Sequence, residues 1–187
     1  LRNISSANNN VAVGYQALFS LTSISDVTAV GWQAGYYYNG TSGLNTYIGL
    51  RAGFSSTGAN SSDYGNTFIG HYAGYAVANA GGTQTGIYNT FIGTSSGSAI
   101  TTGYNNTILG RFDGNQGGLD IRTANNWIVL SDGSGNPRLM VNGSGYFFKS
   151  SNGAFTSGTN CWQLRADEGS IQLSNSASTG TPAYFYT

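Results

Sequence analysis

The sequence predicts an all-β fold: an elongated β-helix or β-prism-like stack of short repeated rungs, followed by a β-rich neck. Three observations carry this. One phrase, an Asn, a few β-formers, a Gly and then Ala-Gly, recurs six times in the first 114 residues, as in Asn45-Thr46-Tyr47-Ile48-Gly49-Leu50-Arg51-Ala52-Gly53. Units this short bury a core only against their neighbours. Helix is not expected, because no window holds a 3.6-residue apolar period free of Gly and turn pairs. Low charge with abundant Gly, Ser, Thr and Asn suits disorder, but 13% aromatic residues recurring in register argue for packing.

The rungs align on Gly14, Gly31, Gly49, Gly70, Gly93 and Gly110. An aliphatic residue precedes each: Val13, Val30, Ile48, Ile69, Ile92 and Leu109. Two residues earlier stand Val11, Thr28, Thr46, Thr67, Thr90 and Thr107, which share a strand face with the aliphatic row. This face is expected to look inward, toward an axis shared with other chains. The opposite parity carries Ala12, Ala29, Tyr47, Phe68, Phe91 and Ile108, as suits a face covered by a loop or a neighbouring chain. Four residues before the glycine, Asn10, Asn45, Asn66, Asn89 and Asn106 form a row interrupted by Val27, expected to hydrogen-bond up and down the stack.

Each key glycine reads as a corner, where φ is positive or another backbone passes close. The small residue three places on is Ala17, Ala34, Ala52 and Ala73, then Ser96 and Asp113, so this requirement relaxes as the array ends. Glycine spacings of 17, 18, 21, 23 and 17 residues leave the phrase fixed and the connections variable, with insertions over 55–65 and 76–88 outside the stack. After Gly114 the phrase decays. Asn126-Trp127-Ile128-Val129-Leu130 keeps the rhythm of a rung, and Ser131-Asp132-Gly133-Ser134-Gly135-Asn136-Pro137 turns the chain sharply. Strands are expected near 138–141, 145–149, 161–165 and 170–173, giving a repeat stack over 1–124 and a neck over 125–187.

Seven Lys and Arg balanced by seven acids give no basic stripe for nucleic acid. No apolar run approaches the roughly 20 residues of a membrane-spanning helix, so membrane insertion is not expected. No secretory signal opens the chain, and Leu1 reads as a cut into a longer protein. A single cysteine, Cys161, excludes an internal disulfide framework and reads as a strand residue. One strand per rung encloses too little volume to hide both strand faces. Three chains around an axis solve this, with Val13, Val30, Ile48, Ile69, Ile92 and Leu109 as the trimer core, each side chain contributing about 1.5–3 kcal/mol when fully buried. A single-chain solenoid is the rival architecture.

The repeats Asn-Thr-Phe-Ile-Gly-x-x-Ala-Gly, the Asp132-Gly133-Ser134-Gly135-Asn136 turn and the ending Ala183-Tyr184-Phe185-Tyr186-Thr187 together resemble bacteriophage tail fibres carrying an endosialidase-type intramolecular chaperone. In that family the C-terminal chaperone assists trimerisation and then cleaves itself off, which implies a homotrimer on the virion, outside the cell, with Thr187 as the cleavage end. It also implies other phage tail proteins and a host cell-surface polysaccharide or receptor as partners. The phrase resembles the heads of trimeric autotransporter adhesins as well, whose period is more regular; a bacterial surface adhesin is the alternative, and a polysaccharide-degrading tailspike a further one.

Catalysis finds little support in the residues. A glycosidase typically needs two carboxylates about 5–9.5 Å apart, and Asp167-Glu168 before Gly169 reads as a solvated turn. His71 is the only histidine, which excludes a Ser-His or His-rich metal constellation within one chain. Asp113 and Asp120 bracket a Gly-rich loop, and Asp132–Asn136 is another; both resemble Ca²⁺ loops, but turn chemistry accounts for them. No enzyme activity, metal or cofactor is expected. Sugar binding suits the aromatic surplus: Trp32, Tyr36, Tyr37 and Tyr38 form one group near a corner, and Tyr64, Tyr72 and Tyr75 a second. Packing between loops and subunits is the competing account. The Thr row raises an ice- or mineral-facing surface, set aside here because it shares the face expected to point inward.

Overall fold

A computed structural model describes residues 5–38, 43–55, 64–77, 86–145, 147–150, 161–167 and 170–175. Six three-residue strands coincide with the six phrases: β1 (Val11–Val13), β2 (Thr28–Val30), β3 (Thr46–Ile48), β4 (Thr67–Ile69), β5 (Thr90–Ile92) and β6 (Thr107–Leu109). They pair in parallel, in order and without slippage, so Thr46 lies beside Thr67 and Ile48 beside Ile69. After the short hairpin of β7 (Asn115–Gln116) and β8 (Leu119–Asp120), β9 (Ile128–Ser131) pairs in parallel with β6 as a seventh rung. The chain is thus a β-solenoid, and no helix forms among the described residues.

The direction of pairing then reverses. β10 (Pro137–Val141), β11 (Phe147–Ser150), β12 (Cys161–Asp167) and β13 (Ser170–Asn175) extend the same sheet as an antiparallel meander. The expected neck strands are therefore present, continuous with the stack through the β9–β10 turn. That turn is held by Asp132, whose carboxylate accepts from the Ser134 and Asn136 amides at 2.9 and 3.0 Å and from Arg138 Nε at 2.8 Å.

Each coil hides one strand face and leaves the other outside. The hidden row is Ala29, Tyr47, Phe68, Phe91, Ile108 and Val129, all buried. Its rings stack along the solenoid, Tyr47 on Phe68 at 5.6 Å and Phe68 on Phe91 at 5.0 Å. The lid is the chain's own turn after the corner glycine, where Ala34, Ala52 and Ala73 are buried and the next residue is Gly35, Gly53 or Gly74. A Cβ on Gly74 would run into the Phe68 ring, and its φ of +59° is left-handed. In the first rung, where the strand carries the small Ala12, Leu18 stands at that position and fills the space.

The aliphatic row expected to face an axis shared with other chains lies on the outside of this chain's own coil. Val13, Ile48, Ile92 and Leu109 are 37% to 56% exposed, and the Thr row on the same face is half-buried. Both rows are apolar enough for a core, and parity cannot choose between them. The Ala-Gly turn chooses, because it folds back over only one face.

The Asn row is a ladder, but it runs from side chain to backbone. Asn66 Oδ1 accepts from the Asn89 amide at 2.8 Å, Asn89 Oδ1 from Asn106 at 2.9 Å and Asn106 Oδ1 from Trp127 at 2.9 Å. Their Nδ2 groups donate to the carbonyls of Gly86, Gly103 and Ala124 at 2.6 to 2.9 Å. Each buried amide side chain thereby satisfies backbone groups that the turning chain would otherwise strand. Just before this row the backbone adopts positive φ at Asn9, Asp26, Leu44, Tyr88, Asn105 and Asn126, a second corner in each coil.

Candidate functional site

The turn after the corner glycine places its fifth residue outside the coil, and in the first four rungs that residue is Phe19, Tyr36, Phe54 or Tyr75. Because the rungs are in register, the four rings form a column. Centroids are 5.0, 5.4 and 5.1 Å apart, with interplanar angles of 4°, 21° and 2°. Such pairs contribute roughly 0.5–1.5 kcal/mol each beyond area burial. The column presents ring edges to solvent, since each interior ring is covered on both faces. Tyr36 is therefore poorly placed as a flat sugar platform.

Tyr37 is the exception in the first aromatic group. It stands edge-to-face against Tyr36 (4.6 Å, 81°) and Phe54 (5.2 Å, 79°), crossing the column, and is 45% exposed. Trp32 is also exposed, but Tyr15 is stacked beside it at 6.4 Å and the Arg51 guanidinium lies 4.7 Å from its centroid. Arg51 also donates from Nε to Gln33 Oε1 at 2.9 Å and from Nη1 to the Tyr72 hydroxyl at 3.3 Å, and Gln33 donates to Gln16 at 2.8 Å. A polar ladder, Gln16–Gln33–Arg51–Tyr72, thus runs beside the aromatic column. Tyr15, which sequence reasoning passed over, is among the most exposed aromatics and belongs to this face.

Tyr38, expected in the same sugar-binding group, is wholly buried against Tyr47 at 5.7 Å and belongs to the core. The chain has re-entered the coil two residues beyond Tyr36. The second aromatic group also divides. Tyr72 and Tyr75 lie on the turn face, 5.0 Å apart at 61°. Tyr64 precedes the strand and makes its ring contact with Tyr88 at 5.1 Å. The Tyr64 hydroxyl interaction raises the Tyr88 pKa above the ordinary phenol value. His71 is exposed at the corner, 4.3 Å from Tyr72.

The three aspartates of the two Gly-rich loops each make hydrogen bonds within their own loop. Asp113 Oδ1 accepts from the Asn115 amide at 2.8 Å, and Asp120 pairs with Arg122 at 2.7 Å, which lowers the Asp120 pKa. Asp132 is held well below the usual carboxylate range, first by Arg138 and then by Asn136. Among the described residues no group of three or more His, Cys, Asp or Glu comes together as a metal site. Asp167 is described by its backbone in β12, while Glu168 and Thr187 lie outside the described residues. No family model, curated protein or solved structure matches this chain.

Proposed function

We propose that this chain is a structural and host-attachment segment of a homotrimeric fibre of the phage tail-fibre kind, carried on the virion outside the cell. The observation that carries the reading is the outward strand face. Its rows pair Thr with Val, Ile or Leu in every rung from Thr28 to Leu109 and hold no charged residue. A face that is neutral, apolar and repeated at strand spacing is matched best by a partner with the same spacing, and another copy of this chain has it by construction. Three copies about an axis along the stack would bury Val13, Val30, Ile48, Ile69, Ile92 and Leu109 together. The turn face, with Tyr37 and Tyr15 exposed, would remain available for cell-surface glycan, and threefold repetition raises avidity without new contacts. The trimeric adhesin head shares these features; a tailspike enzyme would need a carboxylate pair assembled between chains.

Light scattering on residues 1–187 tests the assembly: a mass three times that of one chain supports the fibre, and a stable monomer removes it. A second reading gains from the same face. Outward Thr–x–aliphatic rows form a flat, regular array of the kind suited to an ice or mineral surface. It requires a monomer that inhibits ice recrystallisation, so the mass measurement separates the two.

A further inference from the structure

The aromatic column stops abruptly, and a polar cavity opens where it stops. The register of the turns shows the substitution directly. Tyr37, Ser55 and Ala76 donate their amides to the carbonyls of the next column member, Phe54, Tyr75 and Ser98, at 3.0 to 3.2 Å. Ala99 does the same to Asp113 at 2.9 Å. The column is therefore Phe19, Tyr36, Phe54, Tyr75, Ser98, Asp113: four rings, a hydroxyl and a carboxylate. The sixth turn is shorter than the others. Gly97 bonds to the Phe112 carbonyl where earlier rungs use the buried Ala or Ser96, so Phe112 and not Asp113 takes the small-residue place.

The cavity has a volume of about 250 Å³ and is lined by Ser95, Ser98, Arg111, Asp113, Gln116 and Ser134, from three successive rungs. None of these lies on the outward strand face, so a trimer built through that face leaves the cavity open. Its polar groups are largely uncommitted. Asp113 uses Oδ1 on the Asn115 amide and Gln116 uses Nε2 on the Ser134 carbonyl, leaving Asp113 Oδ2 and Gln116 Oε1 as acceptors. Arg111 makes no ion pair among the described residues. Tyr75, the last ring of the column, has Phe54 stacked on one face and the Ser98 rung on the other, and is not part of the cavity lining.

We propose that this cavity binds one neutral hexopyranose unit of a glycan; the inference rests on the attachment reading above and assigns it a subsite. Sugar hydroxyls donate and accept at once, so adjacent hydroxyls satisfy the Asp113 carboxylate and the Arg111 guanidinium together. Ser95 and Ser98 supply further partners. An acidic sugar would pair with Arg111 but set its carboxylate against Asp113. The volume lies just below the range of pockets for drug-sized ligands, as suits a single monosaccharide.

The test is saturation-transfer NMR on the intact 187-residue chain, with the methyl glycosides of glucose, galactose and mannose as neutral probes and methyl glucuronide as the acidic one. At least one neutral glycoside is expected to bind. Ser98→Phe, which adds a ring to the column and fills the cavity, is expected to abolish the signal. Asp113→Asn keeps the Oδ1 bond to Asn115 and is expected to weaken binding at least tenfold, so the outcome does not depend on a bulky substitution being tolerated. Tyr88→Ala, at the second corner and outside the cavity lining, is expected to leave the signal intact. Binding by no neutral glycoside, by the glucuronide alone, or undiminished in both cavity variants overturns the proposal. If host polysaccharide still binds and is lost only in Tyr37→Ala, the cavity inference falls while attachment stands. If hexose binds but no host glycan does, the attachment reading falls instead.

Discussion

Replacing Asn89 with Ala removes two hydrogen bonds from the interior of the stack. Asn89 is wholly buried, accepts from the Asn106 amide at 2.9 Å and donates to the Gly103 carbonyl at 2.9 Å. Leaving a buried polar group without its partner costs about 1–3 kcal/mol. Two such groups, partly relieved where water enters, give an expected loss of about 2–5 kcal/mol. For a chain of this size each kcal/mol lowers Tm by roughly 2–4 °C, so a drop of about 4–20 °C is expected by circular dichroism. Repeat stacks need not melt in one step, and hydrogen exchange supplies the local reading: the Asn106 amide should lose protection more than amides in β1 and β2. Asn89→Asp keeps the Oδ1 acceptor but loses the Nδ2 donor and buries a charge. It is expected to be at least as damaging at neutral pH and to recover partly in acid. A Tm within 1 °C of the parent in Asn89→Ala, with Asn106 still protected, would refute the idea that the ladder holds the rungs.

Phe68→Ala removes the central ring of the interior stack and is expected to cost about 3–5 kcal/mol, measured by urea denaturation. Gly74→Ala sets a Cβ into that same ring at a left-handed φ and should cost about 1–3 kcal/mol by the same assay, whereas Gly133→Ala, with open space at its Cβ, should be nearly silent. Ile48→Asp with Ile92→Asp alters the outward face without touching the coil interior; light scattering is expected to show a monomer that keeps its β spectrum. Asp132 has its carboxyl pKa lowered by Arg138 and Asn136, so its contribution is complete above the ordinary carboxylate range and is lost as pH falls through the lowered value. Protection of the β9–β10 turn amides should hold at pH 5 and fail on strong acidification, and Asp132→Asn should remove that pH dependence.

The six strands, the seventh rung at Ile128 and all four neck strands were legible because the phrase fixes its own register. Which face is interior was not, since Val13–Leu109 and Ala29–Ile108 are both apolar rows. A signal was nevertheless present: wherever the strand centre is aromatic, as at Tyr47, Phe68 and Phe91, the residue after the buried small one is Gly, which leaves room for the ring, although the small Ala29 is followed by Gly35 as well. The exposed aromatic face was half legible. Grouping the aromatics after Trp32 picked out part of the turn face, but sequence adjacency joined Tyr38 to Tyr37, and the chain turns inward between them. Tyr64 was grouped with Tyr72 and Tyr75 for the same reason. The place of Asp113 in the column stayed hidden, because the shortened sixth turn shifts the register and only the backbone bonds reveal it.

The unbroken pairing of seven parallel rungs has a consequence for how such a chain changes over generations. Every rung takes its position from the one beside it, and no contact within the stack depends on how many rungs there are. Gain or loss of one whole repeat would therefore alter length by a single strand spacing, about 4.8 Å, while leaving the cross-section and both lateral faces in alignment. Length in this architecture is inherited in discrete steps, and it can change without redesigning either lateral face.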